Sequence, residues 1–315
     1  PSPEPKASLK PLKYFGYEFF TQAPTTFAQL VNTPVPADYI IGPGDNFKIY
    51  LYGNVNNEFT AEVNREGIIF FPDLGPITVS GLTFTDAKKV IEQNVTNKII
   101  GTEINITMGS LRSINIFVMG EGYRPGMYSV SSLSTLTNAI FASGGINPSG
   151  SLRNIQLKRN GSVISKFDFY DVLLNGDISL DIRLMPMDVI FIPPIGKTVG
   201  INGEISRPGI YEVLDSENLE NLVQFSGNLK PKASNSIQIT RIDREINGFK
   251  FYDVPNNQET FDTLDLYSGD LVTVPKVSKA VRRRTRQRWL KAPQCISCSY
   301  SRTTGLSFRS LPGSF

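Results

Sequence analysis

One segment of this chain returns nearly intact further along it, and such a chain must fold as two copies of one small unit. VMGEGYRPGMYSV (Val118 to Val130) recurs as INGEISRPGIYEV (Ile201 to Val213). Gly120 and Gly203 stand 83 residues apart, and Glu121, Arg124, Pro125, Gly126, Tyr128, Val130, Ser143, Gly144 and Pro148 meet identical residues at the same offset. The offset then drops to 82: Ile155–Gln156 matches Ile237–Gln238, Phe169 to Val172 matches Phe251 to Val254, and Asp188 matches Asp270.

Both copies read alike. Alternating Ile114, Ile116 and Val118 predict a half-buried first strand. Arg124–Pro125–Gly126, like Arg207–Pro208–Gly209, carries type II turn chemistry, with proline presetting φ and glycine accepting a positive φ. The chain returns through Tyr128 and Val130. A short helix follows, with Ser134 as N-cap, Leu136 and Ile140 on one face, and Gly144–Gly145 as its stop. The second copy has Leu219, Leu222 and Val223, stopped at Gly227. Two more strands close each unit: IQLKR with VIFIP, and IQIT with LVTVP. The expectation is a small α+β roll, a sheet crossed by one helix.

The preceding segment is of another kind. In DYIIGPGDNFKIYLYG, Phe47, Ile49 and Leu51 alternate with Lys48, Tyr50 and Tyr52. NREGIIFFPDLGPI predicts a hairpin with Gly67 near its turn, and LTFTDAKKVIEQNVTNKI a helix capped by Thr85 with an apolar stripe through Ala87, Val90, Ile91 and Val95. The predicted organisation is an extended strap over 1–30, a first domain over 31–112, repeats over 113–196 and 197–277, and a tail over 278–315. The fold class is α+β, a β-rich string of three small domains.

Composition narrows the chemistry. Residues 1–277 hold 23 basic and 29 acidic residues, a net charge of −6, whereas 278–315 carry nine Lys or Arg and no Asp or Glu. Cys295, Cys298 and the sole tryptophan, Trp289, also lie in that tail. The body thus has no disulfide framework, and the absence of histidine from the whole chain excludes His-based triads and His metal sites. In the tail, RRRTRQRWLK has the look of a nucleic-acid or anionic-lipid patch and Cys295-Ile-Ser-Cys298 of half a zinc knuckle, but a second ligand pair is missing. So abrupt a shift reads as sequence foreign to the fold, and neither nucleic acid nor metal is expected as a ligand. No apolar run is long enough for a membrane-spanning helix, and the opening PSPEPKASLK, without Met or an apolar signal core, reads as that of a fragment.

The first domain resembles the N-terminal domain of bacterial outer-membrane polysaccharide export proteins. Gly42, Pro43, Gly44, Asp45, Gly67, Pro72, Gly75 and Gly81 sit on that family's GPGD strand and on the dG-I-fP-lG segment after it. The two repeats resemble SLBB domains, the β-grasp modules that follow it, through Gly120, Pro125, Gly126 and Tyr128 with the stop at Gly144, and through Gly203, Pro208, Gly209 and Tyr211 with the stop at Gly227. The resemblance implies a non-enzymatic subunit of a homo-oligomeric ring in the periplasm, associated with the outer membrane. Its partners would be the exported capsular or exopolysaccharide and an inner-membrane co-polymerase or chain-length regulator, and no cofactor is implied.

Individual residues favour bland roles. Gly42 to Asp45 lacks phosphate-loop spacing and precedes a strand, so it reads as a structural turn. Asp45, Asp188 and Asp270 share one pre-strand position, where a carboxylate accepts backbone N–H groups. Arg124 and Arg207 are weak ligand candidates set against exposed turn residues. Tyr50 and Tyr52 are weak sugar-stacking candidates set against cross-strand packing. The acidic residues scatter over turns and helix faces, which disfavours a glycosidase pair. The alternative to a conduit is a soluble periplasmic carbohydrate- or cofactor-binding β-grasp protein acting as a monomer.

Overall fold

Alternation in the first domain becomes a strand because Phe47, Ile49 and Leu51 all face one core. A computed structural model describes residues 11–21 and 34–277, apart from 55, 72, 73, 100, 244, 246 and the side chain of 262. Pro72 and the tail, with Trp289 and both cysteines, lie outside the described residues. Strands β1 (Asn46–Gly53), β2 (Asn57–Glu62) and β5 (Thr102–Met108) form an antiparallel sheet in the order β2-β1-β5. Between them, β3 (Ile68–Phe71) and β4 (Gly75–Thr78) make a hairpin. Helix α2 (Phe84–Lys98) buries Ala87, Ile91 and Val95 against this core. Its cap is Thr83, whose hydroxyl accepts the Asp86 N–H, and not Thr85. Thr85 already lies within the helix and donates its hydroxyl to the Ala37 carbonyl instead.

The first repeat comprises β6 (Ser113–Gly120), β7 (Gly126–Ser131), helix α3 (Leu136–Ala142), β8 (Ile155–Arg159), β9 (Ser162–Phe167) and β10 (Val189–Ile192). The second comprises β11 (Thr198–Gly203), β12 (Gly209–Glu212), helix α4 (Leu219–Phe225), β13 (Ser236–Asp243), β14 (Gly248–Pro255), helix α5 (Gln258–Thr263) and β15 (Leu271–Val274). The sheet orders are β7-β6-β10-β8-β9 and β12-β11-β15-β13-β14, with β6–β10 and β11–β15 the parallel neighbours. Each unit therefore has one strand more than its sequence announces. The helix cap is Thr135, one residue beyond Ser134, and its backbone N–H donates to the Asn138 side chain.

Two other expectations fail for physical reasons. Gly126 and Gly209 do not take a positive φ: they are the first residues of β7 and β12. The left-handed residues are Gly120 and Gly203, at φ 83° and 92°, where a Cβ would stand 2.0 Å from the carbonyl oxygens of Ile192 and Val274. The identity of Phe169–Val172 with Phe251–Val254 is also not a structural equivalence. Ile155 pairs with Phe167, but its counterpart Ile237 pairs with Val254, so the second strands of the two hairpins are 87 residues apart instead of 82. The first hairpin turns tightly at Asn160–Gly161, both at positive φ, whereas the second runs from Asp243 to Gly248. The connector that follows is shorter in the second repeat by the same five residues, which returns Asp188 and Asp270 to register. Phe169 and Tyr170 consequently leave the sheet, and Phe251 and Tyr252 stay in it.

The two repeats share one continuous core, from Ile114 to Val274. The first domain has its own core, to which Leu133 of the first repeat contributes. The described part of the strap includes a short helix α1 (Glu18–Thr21) and crosses both repeats. Phe15 N–H donates to Ile210 O at 2.9 Å and Ile210 N–H to Lys13 O at 2.8 Å, which extends the β12 edge. Phe15 stacks on Tyr211, and Phe20 meets Phe141 and Phe169 of the first repeat.

Candidate functional site

Three buried aspartates organise the molecule. Asp45, Asp188 and Asp270 each stand immediately before a strand and accept the amide N–H three residues back, from Gly42, Met185 and Tyr267, at 2.8–2.9 Å. Each also holds an arginine. Asp45 binds Arg112 through its backbone N–H and one guanidinium nitrogen, and accepts the Tyr39 hydroxyl at 2.8 Å. Asp188 takes Arg159 in a two-pronged pair at 2.8 Å, and Asp270 takes Arg241 the same way at 2.9 and 2.7 Å. Paired carboxylate and guanidinium groups compensate each other's charge, and the backbone donor satisfies what remains, so these aspartates are held as turn clasps. Gly42 has no side chain because Arg112 occupies the space: a Cβ there would meet its Nη1 at 2.6 Å. The arginines were missed in the sequence, although Arg159 and Arg241 stand at the same 82-residue offset as their aspartates.

A fourth cluster joins the repeats. Glu212 of β12 accepts the Leu152 N–H at 2.9 Å and the Gly196 N–H at 3.0 Å, while its own N–H donates to the Tyr170 hydroxyl at 2.9 Å. Arg153 reaches Asp168 at 2.9 Å and Glu217 at 2.5 Å, between the rings of Tyr170 and Phe225, whose centroids lie 4.6 and 5.0 Å away. Burial pushes the Asp168 carboxyl above its usual range, with Arg153 pulling the other way. Burial likewise raises the phenols of Tyr17, Tyr39 and Tyr170, and that of Tyr211 to about 12.

The weak ligand candidates do not come together. Tyr50 and Tyr52 share one face of β1, opposite Glu58 and Glu103. Arg124 is exposed beside Tyr123, while Arg207 donates to Phe225 O at 3.0 Å and lies over Phe15. The carbonyls of both arginines act alike. Tyr128 and Tyr211 donate their hydroxyls to Arg124 O and Arg207 O, at 2.5 and 2.7 Å, closing the turn after each signature proline. Among the described residues no three His, Cys, Asp or Glu gather as metal ligands, and no helix is long and apolar enough to cross a membrane.

An antiparallel three-stranded sheet with a separate hairpin and one helix is followed by two five-stranded rolls, and each of the three units carries one Asp–Arg clasp. Comparison with known proteins agrees domain by domain. Residues 33–109 match the model for polysaccharide biosynthesis/export protein, and residues 115–192 and 198–251 each match an SLBB domain. The chain thus carries a polysaccharide export family domain followed by two SLBB domains. It is 26% identical over 218 residues to the polysialic acid transport protein KpsD of Escherichia coli, covering 68% of this chain and 38% of that protein. It is 25% identical over 168 residues to the EPS I polysaccharide export outer membrane protein EpsA of Ralstonia nicotianae, covering 52% of this chain and 44% of that one. The matches thus span less than half the length of these relatives.

Proposed function

We propose that this chain is a non-catalytic subunit of a homo-oligomeric conduit in the periplasm, associated with the outer membrane, that exports capsular or exopolysaccharide received from an inner-membrane co-polymerase. The observation that carries this reading is the ordered match of an export domain and two SLBB domains along one chain. The clasps support it: the buried carboxylates are engaged by arginines and turn amides, as a scaffold requires. A polymer must also leave as readily as it enters, so a conduit wall works with weak, dispersed contacts.

Self-assembly needs a surface for the next copy. Ile242, Phe249 and Phe251 lie on one face of the β13–β14 hairpin, and Phe251 is 76% exposed. A cluster of this kind on a soluble surface marks a contact, here with a second copy. Deleting the gene should abolish surface polysaccharide while lipid-linked precursors continue to be made. The purified protein should have an oligomeric mass in solution that Phe251→Asp lowers. A monomeric wild type, or normal surface polysaccharide in the deletion strain, would overturn the reading.

A further inference from the structure

Of the three clasps, that of the second repeat alone is faced by two exposed rings. The Arg241 guanidinium lies 3.9 Å from the centroid of Tyr267 and 5.5 Å from that of Tyr252, which are 53% and 40% exposed. Arg241 Nε and Nη2 are committed to Asp270 and the Asp265 carbonyl, whereas Nη1 has no hydrogen bond among the described residues. At the other clasps, Arg112 spends its Nη1 on Asp45, Tyr39 and the Ile40 carbonyl, and among the described residues no ring lies against Arg159. The structural counterparts of Tyr252 and Tyr267 in the first repeat are Ser165, opposite Leu157 as Tyr252 is opposite Ile239, and Met185, whose N–H binds Asp188 as Tyr267 N–H binds Asp270. The fold therefore tolerates non-aromatic residues at both positions, and the tyrosines are not needed to hold an Asp–Arg clasp.

We infer that Tyr252, Tyr267 and Arg241 form a pyranose subsite on the second repeat, with the ring surfaces that the guanidinium leaves open taking the C–H face of a sugar and Arg241 Nη1 donating to one of its oxygens. Two aromatic surfaces flanking a fixed polar donor suit a ligand that is apolar on its faces and polar at its rim. The local charge favours an uncharged sugar: Asp270 compensates Arg241, and Asp243 compensates Lys250, which stands directly across from Arg241. One shallow contact of this kind holds a sugar at about millimolar strength, which allows the polymer to move on. The inference rests on the export reading above and specifies what the conduit wall would touch.

The test is titration of the full chain with a neutral heptasaccharide, maltoheptaose, and separately with an acidic one, oligogalacturonate, followed by NMR of the Arg241 Nε–H and the tyrosine rings. Saturable shifts with maltoheptaose are expected. They should weaken at least tenfold in Tyr252→Ser/Tyr267→Met, which installs the first repeat's residues, while thermal stability is kept. The reciprocal Ser165→Tyr/Met185→Tyr should create a second set of shifts at Arg159. No response to maltoheptaose, a response that survives the double exchange, or a preference for oligogalacturonate would each overturn the subsite. The conduit reading fails separately: a protein that binds maltoheptaose in this way but is dispensable for surface polysaccharide keeps the subsite and loses the conduit.

Discussion

The two repeats have one topology and the same clasp, yet different parts of each are covered. The first has its helix and connector covered: Phe141, Phe169 and Tyr170 meet the strap and the second repeat. The second is covered at its β12 edge, where Phe15 makes Tyr211 fully buried, and bare at its β14 edge, where Phe249 and Phe251 face solvent. Tyr128, the partner of Tyr211 in the repeat, stays partly exposed while making the same hydroxyl bond to the turn. What is common to both copies maintains the roll. What differs marks where the roll meets something else.

The common part gives the largest effect. Gly120→Val and Gly203→Val each put a β-branched side chain at positive φ and its Cβ 2.0 Å from a carbonyl oxygen of the neighbouring parallel strand. Backbone must move, at a cost of about 4–5 kcal/mol. Because the repeats share one core, either substitution should bring both down in a single transition, measured by thermal circular dichroism with limited proteolysis. A protease-resistant second repeat in Gly120→Val would show that the shared core does not couple them.

Next is the seam, present once. Arg153→Ala leaves Asp168 and Glu217 facing each other without their cation and removes the guanidinium from between two rings. The expected loss is about 3 kcal/mol, against under about 0.5 kcal/mol for the exposed Arg124→Ala. Chemical denaturation of the two variants measures the contrast, and equal losses would remove the seam's special standing.

Why the rolls were legible and the seam was not follows from the range of the interactions. Period-2 alternation put Ile114, Ile116 and Val118 inward, and the helical spacing of Leu219, Leu222 and Val223 did the same, because burial of one face leaves a local imprint. The export domain and SLBB resemblance was legible for the same reason, in turn glycines and prolines at fixed spacing. Arg153, Asp168, Glu212 and Glu217 meet only through the fold, and no local pattern announces them. The Phe-Tyr-Asp-Val identity misled because five residues gained in one hairpin and lost from the next connector preserve the overall offset while moving the strand in between. Arg124–Pro125–Gly126 misled because the left-handed glycine stands six residues earlier, at the end of β6, where a Cβ would meet the Ile192 carbonyl of β10. Tyr50 and Tyr52 lie in the sheet beside acidic neighbours, and the aromatic pair around Arg241 was hidden by the misaligned hairpin.

Alkaline pH probes the covered surface more gently. Tyr17, Tyr39, Tyr170 and Tyr211 have folded-state phenols raised above the unfolded value, so the folded chain binds more protons than the unfolded chain at high pH. Their contribution is fully present below about pH 10 and is lost progressively as pH rises above it. Tyrosinate absorbance should lag behind that of exposed phenols and then rise together with unfolding. In Phe15→Ala, which uncovers Tyr211, the onset should move to lower pH. An unchanged onset would mean that the strap does not shield that ring.

The smallest effect compares the two signature glycines after the turn prolines. At Gly126 a Cβ would have nothing within 4 Å, and at Gly209 it would stand 3.1 Å from Lys13 O, the strap carbonyl that accepts the Ile210 N–H. Neither glycine has a positive φ, so alanine is conformationally acceptable at both and restricts the unfolded chain at both. Gly126→Ala should therefore be neutral or stabilise by about 0.4–1 kcal/mol. At Gly209 the same entropic gain is opposed by a contact that the strap must yield to by a few tenths of an ångström, which lengthens the bond between Lys13 and Ile210. The net result should be a loss of up to about 1 kcal/mol, with faster hydrogen exchange at the Ile210 amide and no change at its counterpart, Met127. The measurement is a pair of thermal midpoints with hydrogen exchange read at those two amides. Two equal midpoints with a protected Ile210 would show that the strap adjusts without cost, and that the asymmetry between the repeats lies in the seam alone.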